Sequence, residues 1–171
     1  MKYFTIEELC YSTVAKKNKI DNTPTEEIIE HLTEMVDNLL DPLREALGSA
    51  IIVGSGFRCE KLNKKVGGSK TSAHLKGFAA DLLPVNGDID EFFEFVKNYL
   101  LENDIPFDQL IDEHSGNVHW VHISYKNLNG LQRKQIKLYK DVDLKNVLNP
   151  SNLSFFPESK GVPFMFSAII V

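Results

Sequence analysis

The sequence predicts an α+β domain: a small, mostly antiparallel sheet with flanking helices. Three observations lead there. The 171 residues are enough chain for one hydrophobic core and too few for two ordinary domains. Two long segments repeat apolar residues at helical spacing, whereas several short apolar or alternating runs bounded by turn residues read as strands. The two kinds of segment are interleaved along the chain, without the regular alternation that would indicate a parallel doubly wound sheet.

The first helix is expected after Asp21-Asn22-Thr23-Pro24-Thr25-Glu26, with Thr23 as N-cap, Pro24 in the first turn and Glu26 closing a capping box. Ile28, Leu32, Met35, Val36, Leu39, Leu40, Leu43 and Leu47 then recur at helical spacing. Pro42 is expected to kink or restart this helix, and Gly48 to stop it. Ile51-Ile52-Val53 reads as a buried strand ending in Gly54-Ser55-Gly56, followed by a basic loop from Phe57 to Ser72. A second strand is expected over Phe78–Leu83, closed by Pro84. An amphipathic helix follows over Asp88–Leu101, with Ile89, Phe92, Phe93, Val96 and Leu100 on one face. Further strands are expected at Phe107–Ile111, His119–Tyr125 and Gln135–Tyr139. Residues 1–140 form the expected domain, and 141–171 a tail that packs on it or binds a partner.

Composition removes several function classes. A hydrophobic content of 43% and a charged content of 25% are those of an ordinary globular chain. The formal charge of −5 is the wrong sign for gripping nucleic acid or an anionic membrane. Cys10 and Cys59 are too few for a disulfide framework and read as reduced thiols. The start, Met1-Lys2-Tyr3-Phe4-Thr5-Ile6-Glu7-Glu8, acquires acids before any apolar stretch develops, so no secretory signal is expected. The most apolar run, Val162 to Val171, falls short of the roughly 18 residues that span a bilayer.

The histidines carry the chemistry. His74 lies seven residues before Asp81, and His122 sits within Trp120-Val121-His122-Ile123-Ser124. Two imidazoles and a carboxylate supply three ligands suited to Zn2+ and leave a fourth position open, as a catalytic rather than a structural site requires. Spacing alone does not separate such a set from unrelated surface residues. His31 is expected to be solvated on the charged face of the first helix, and His114 to lie in a loop.

The surrounding blocks are more specific. Ser55-Gly56-Phe57-Arg58, Leu62-Asn63, Val66-Gly67-Gly68-Ser69, Ser72-Ala73-His74, Gly77-Phe78-Ala79-Ala80-Asp81, Phe107-Asp108-Gln109-Leu110-Ile111 and Trp120-Val121-His122-Ile123-Ser124 occur in this order. Together they resemble the M15 family of zinc peptidases, which includes D-alanyl-D-alanine carboxypeptidases, vancomycin-resistance dipeptidases and phage endolysins. The closest likeness is to the small M15A-type members, and it covers roughly residues 4 to 139. The resemblance implies the hedgehog-like peptidase fold, with a Zn2+ site at the sheet held by His74, Asp81 and His122. It implies Arg58 as a contact to a substrate carboxylate or oxyanion, and Ser72 as a further substrate contact. The implied substrate is the peptidoglycan stem peptide, hydrolysed by a cell-wall lytic enzyme or, alternatively, by a D-Ala-D-Ala carboxypeptidase or dipeptidase. A non-catalytic zinc-binding wall or phage component is the remaining alternative. The chain would act as a monomer, without nucleic-acid or membrane partners, made in the cytoplasm and reaching the wall if released.

The general base is where the chain departs from the pattern. Many relatives place Glu three residues before the last ligand; here that residue is His119. Positions three apart on an ideal strand face opposite sides, so His119 needs a bulge to join His122. Glu113 is the competing candidate and stands slightly ahead.

Overall fold

The computed structural model describes residues 1–141. Five strands form one sheet: β1 (Ile51–Ser55), β2 (Ala79–Pro84), β3 (Gln109–Ser115), β4 (Val118–Ser124) and β5 (Gln135–Asp141), in the spatial order β1-β2-β4-β3-β5. The pairs β1–β2, β2–β4 and β3–β4 are antiparallel, but β5 runs parallel to β3, so the sheet is mixed. Three of the four pairings are thus antiparallel, as expected, and the last described strand adds the one parallel pairing. β4 ends at Ser124 opposite Gln109, the start of β3, and the chain crosses to pair Gln135 with that same Gln109. Arg133 pins this crossover, donating from Nε to Asp108 Oδ1 at 2.6 Å and from Nη2 to Asp108 Oδ2 at 2.8 Å. The expected tail lies, beyond residue 141, outside the described residues.

Helices cover one face. α1 (Ile6–Cys10) and α2 (Thr13–Lys17) precede a long helical segment made of α3 (Glu26–Met35), a π turn (Val36–Leu40) and α4 (Asp41–Leu47). Its N-cap is Thr25, whose hydroxyl accepts from the Ile28 amide, and Thr23 instead bonds Asp21. The helix continues through Pro42. The widened π turn just before it accommodates a residue that lacks an N–H and crowds the preceding turn. Gly48 ends α4 in the left-handed conformation. The 57–72 segment is not all loop: α5 (Glu60–Lys65) interrupts it, burying Leu62 against Ala15, Ile20 and Val66.

α6 (Ile89–Glu102) is capped by Asp88, which accepts from the Asp90 amide at 2.7 Å. Its buried stripe of Phe92, Phe93, Val96 and Leu100 meets Ala80, Leu82, Leu110, Val121 and Ile123 of the sheet, in one core with Leu32, Met35 and Leu39. Each such side chain contributes about 1.5–3 kcal/mol by leaving water. Cross-strand register decides which residues share that apolar face, and Asp81, Glu113, Trp120 and His122 alternate onto the other.

Candidate metal centre

Asp81 on β2 and His122 on β4 are direct cross-strand partners, so their side chains leave the same face side by side. His74 comes from a single 3-10 turn (Ala73–Lys76) that leads into β2 through Gly77, whose φ of +72° a side chain would strain. The three donors form a small triangle. His74 Nε2 lies 3.2 Å from Asp81 Oδ1 and 3.2 Å from His122 Nδ1, and His122 Nδ1 lies 2.9 Å from Asp81 Oδ1. All three residues are buried.

Proton counting shows what this triangle needs. His74 Nδ1 donates to the Gly56 carbonyl at 2.7 Å, so the neutral ring presents a bare lone pair from Nε2. Burial, then the Arg58 guanidinium, hold His74 down to about 4, so near neutral pH the ring stays uncharged. Burial opposes ionisation of Asp81. Its contacts with His74, Arg58 and His122 outweigh that and keep the carboxyl well below the usual carboxylate range. One Nδ1 proton on His122 is then the most that three converging acceptors can share. A divalent cation satisfies all three. A tetrahedral zinc ion, with bonds of about 2.0–2.1 Å, puts its ligands about 3.3 Å apart, close to the observed edges.

The residues around the triangle hold it in place. Arg58, 7% exposed, donates from Nε to Ser55 Oγ at 2.8 Å and from Nη2 to Asp81 Oδ2. Its guanidinium is engaged by the Asp81 carboxylate, where the resemblance implied a contact to a substrate carboxylate or oxyanion. Asn22 clasps the same loop, donating to the Cys10 and Phe57 carbonyls and accepting from the Cys59 amide at 2.7 Å. Gly56 is required sterically, because a Cβ there would stand 2.2 Å from the Leu9 carbonyl oxygen. The sequence assigned Asn22, Ser55 and Gly56 no such role, although the first lies in the run that opens the first helix and the others in the Ser55–Arg58 block. Ser72 is half-buried, immediately before the turn that carries His74.

The two base candidates separate cleanly. β3 and β4 pair without a bulge: Ile111 faces His122, Glu113 faces Trp120, and His114 faces His119. Glu113 therefore shares the face of His122, one rung nearer the hairpin, and accepts from Trp120 Nε1 at 2.9 Å. His119 leaves the opposite face, against Asp112 and His114. The bulge needed to bring it beside His122 does not form. His114, expected in a loop, lies on β3. His31 is not a bystander either; it stacks on Phe78 at 4.2 Å and its Nδ1 meets the Lys76 carbonyl. Cys59 packs between the two apolar clusters, and burial raises the Cys10 thiol to about 11, so Cys10 does not behave as a reactive thiolate.

Among the described residues, no helix is long and apolar enough to cross a membrane. A family model described as Peptidase M15 matches residues 2–124, a span that contains every residue of the triangle and its supports. No curated protein matches the chain.

Proposed function

The chain belongs to the Peptidase M15 family, and from that membership and the His74–Asp81–His122 triangle we propose a zinc-dependent hydrolase of amide bonds in peptidoglycan stem peptides. The observation that carries this reading is the convergence of three buried acceptors with too few protons to share. His74 Nε2, Asp81 Oδ1 and His122 Nδ1 would hold the ion. When bound, zinc supplies Lewis acidity toward a carbonyl and lowers the pKa of water to near 7.

The chain's own residues do the rest. Glu113 accepts a proton from the water that adds to the scissile carbonyl carbon and returns it to the leaving amine nitrogen as the C–N bond breaks. Diagonal neighbours on an antiparallel pair lie about 7–8 Å apart, which leaves room for a substrate carbonyl and a water between Glu113 and His122. Trp120 orients Glu113 through its indole N–H. Arg58 keeps Asp81 ionised, and its further N–H groups suit a substrate carboxylate. Ser72 supports substrate beside His74. A lytic enzyme of phage or bacterial origin, acting on the wall as a monomer, is the biological setting this chemistry suits.

The test is mass spectrometry of defined muropeptides after incubation with zinc-loaded protein, beside a chelated control and His74→Ala. A chelator-sensitive product absent from the variant is expected. An internal cut identifies an endopeptidase, and release of terminal D-Ala a carboxypeptidase. Stoichiometric zinc with no product from any muropeptide would overturn the proposal in favour of a wall-binding component.

A further inference from the structure

On the far side of the same hairpin, Asp112, His114 and His119 gather with Asp90, the second residue of α6. We propose that this cluster is a second site for a zinc-type divalent cation, held by His114 Nε2, His119 Nε2 and the Asp112 carboxylate, with Asp90 orienting His119.

The geometry converges on one point. His114 and His119 are the second cross-strand pair from the turn, with ring centroids 3.4 Å apart and planes inclined by 30°. Asp112 lies two residues before His114 and so shares its face. Its Oδ1 receives His114 Nε2 at 3.0 Å and also meets His119 Nε2. The donor atoms of all four residues lie within 4.8 Å of one another.

Both imidazoles converge on the one Asp112 oxygen, the arrangement a shared cation would use. His119 stands between two carboxylates, with Nε2 on Asp112 and Nδ1 3.5 Å from Asp90 Oδ1. A neutral imidazole has a single N–H and cannot donate to both. If Nδ1–H points at Asp90, the Nε2 lone pair faces Asp112 and calls for a cation at that point. A metal uses both imidazoles and is matched in charge by the two carboxylates. The carboxylate–histidine–metal relay that results is the usual means of fixing a ligand ring. The side chains of Asp112, His114 and His119 are 16%, 27% and 15% exposed, closed enough to be held and open enough to load. An ion here would staple the β3–β4 hairpin, which carries Glu113 on its other face, at a point beside the N-terminus of α6.

The experiment is zinc stoichiometry of the full chain after equilibrium dialysis against Zn2+, read by elemental mass spectrometry, with the Co2+-substituted visible spectrum as a second readout. Two equivalents are expected for the native chain, one for His119→Asn, one for His74→Ala and none for the double variant. Asp90→Asn, a change at a side chain 76% exposed and harmless to folding, is expected to weaken only the second equivalent, by about 10- to 100-fold. A single equivalent in the native chain that His74→Ala removes would overturn the proposal. So would two equivalents that survive both His119→Asn and Asp90→Asn. A single equivalent retained by His74→Ala and lost in His119→Asn would uphold this site while sinking the first, so the two readings fail separately.

Discussion

Two groups of like composition, two histidines with an aspartate, lie on opposite faces of the sheet, each taking at least one ligand candidate from the β3–β4 hairpin. They differ in what surrounds them. His74, Asp81 and His122 are buried, and a cation, Arg58, compensates Asp81. Asp112, His114 and His119 are half-buried, and a second acid, Asp90, stands beside them. Residue type alone would rank the groups equal. Burial and the charge of the neighbour give one a protein-built counter-ion, and make the other dependent on whatever cation solvent supplies.

The largest expected effect tests the division between faces. Glu113→Gln should keep the metal of the buried triangle and lower turnover of a muropeptide by about 100- to 10,000-fold, the usual contribution of a general base. His119→Gln should cost far less of the rate. The reverse ranking would mean that the face seen here is not the one on which the reaction runs.

Next in size is the difference in stability. Arg58→Ala in metal-free protein leaves the buried Asp81 carboxylate without its guanidinium and should cost about 3–5 kcal/mol by urea unfolding. Asp90→Asn removes an exposed charge and should cost about 0–1 kcal/mol. Comparable losses from the two would erase the contrast.

Acidification sharpens it further. With the folded His74 lowered to about 4 and its unfolded value at 6.5, the unfolded chain binds the extra proton first as pH falls. Metal-free protein should therefore lose about 3 kcal/mol of stability between pH 6.5 and pH 4, and none from this group above that window. Asp81, also lowered, extends the loss below the usual carboxylate range. Thermal melts in chelator across this range measure it, and a flat profile would mean that His74 is not held neutral by burial.

The smallest effect concerns orientation. Trp120→Phe keeps the ring and removes the indole N–H that Glu113 accepts, a hydrogen bond worth about 1 kcal/mol. Turnover should fall by a few-fold with metal content unchanged; a loss as large as that of Glu113→Gln would mean the ring itself shapes the site.

Much of this was legible in the chain. Helical periodicity located the long N-terminal helix and α6 to within a few residues, because burying a stripe requires that spacing wherever the helix packs. The strand runs were found for the same reason, with boundaries displaced: Phe107 precedes β3, which continues instead to Ser115. His74, Asp81 and His122 were named from ordered motifs. What the sequence by itself determined, then, is periodicity, the residues that must leave water, and the donors available for a metal.

The rest depended on contacts between segments far apart in the chain. Unbroken β3–β4 register put Glu113 with His122 and sent His119 to the other side. The Asp108–Arg133 pair led β5 into a parallel position, and the approach of β2 to the 58 loop turned Arg58 onto Asp81. No local preference encodes these outcomes, since which strands pair and in what register is settled by the shared core. The same pairing brought His114, His119, Asp112 and Asp90 together from two strands and a helix, a neighbourhood no spacing rule would have drawn.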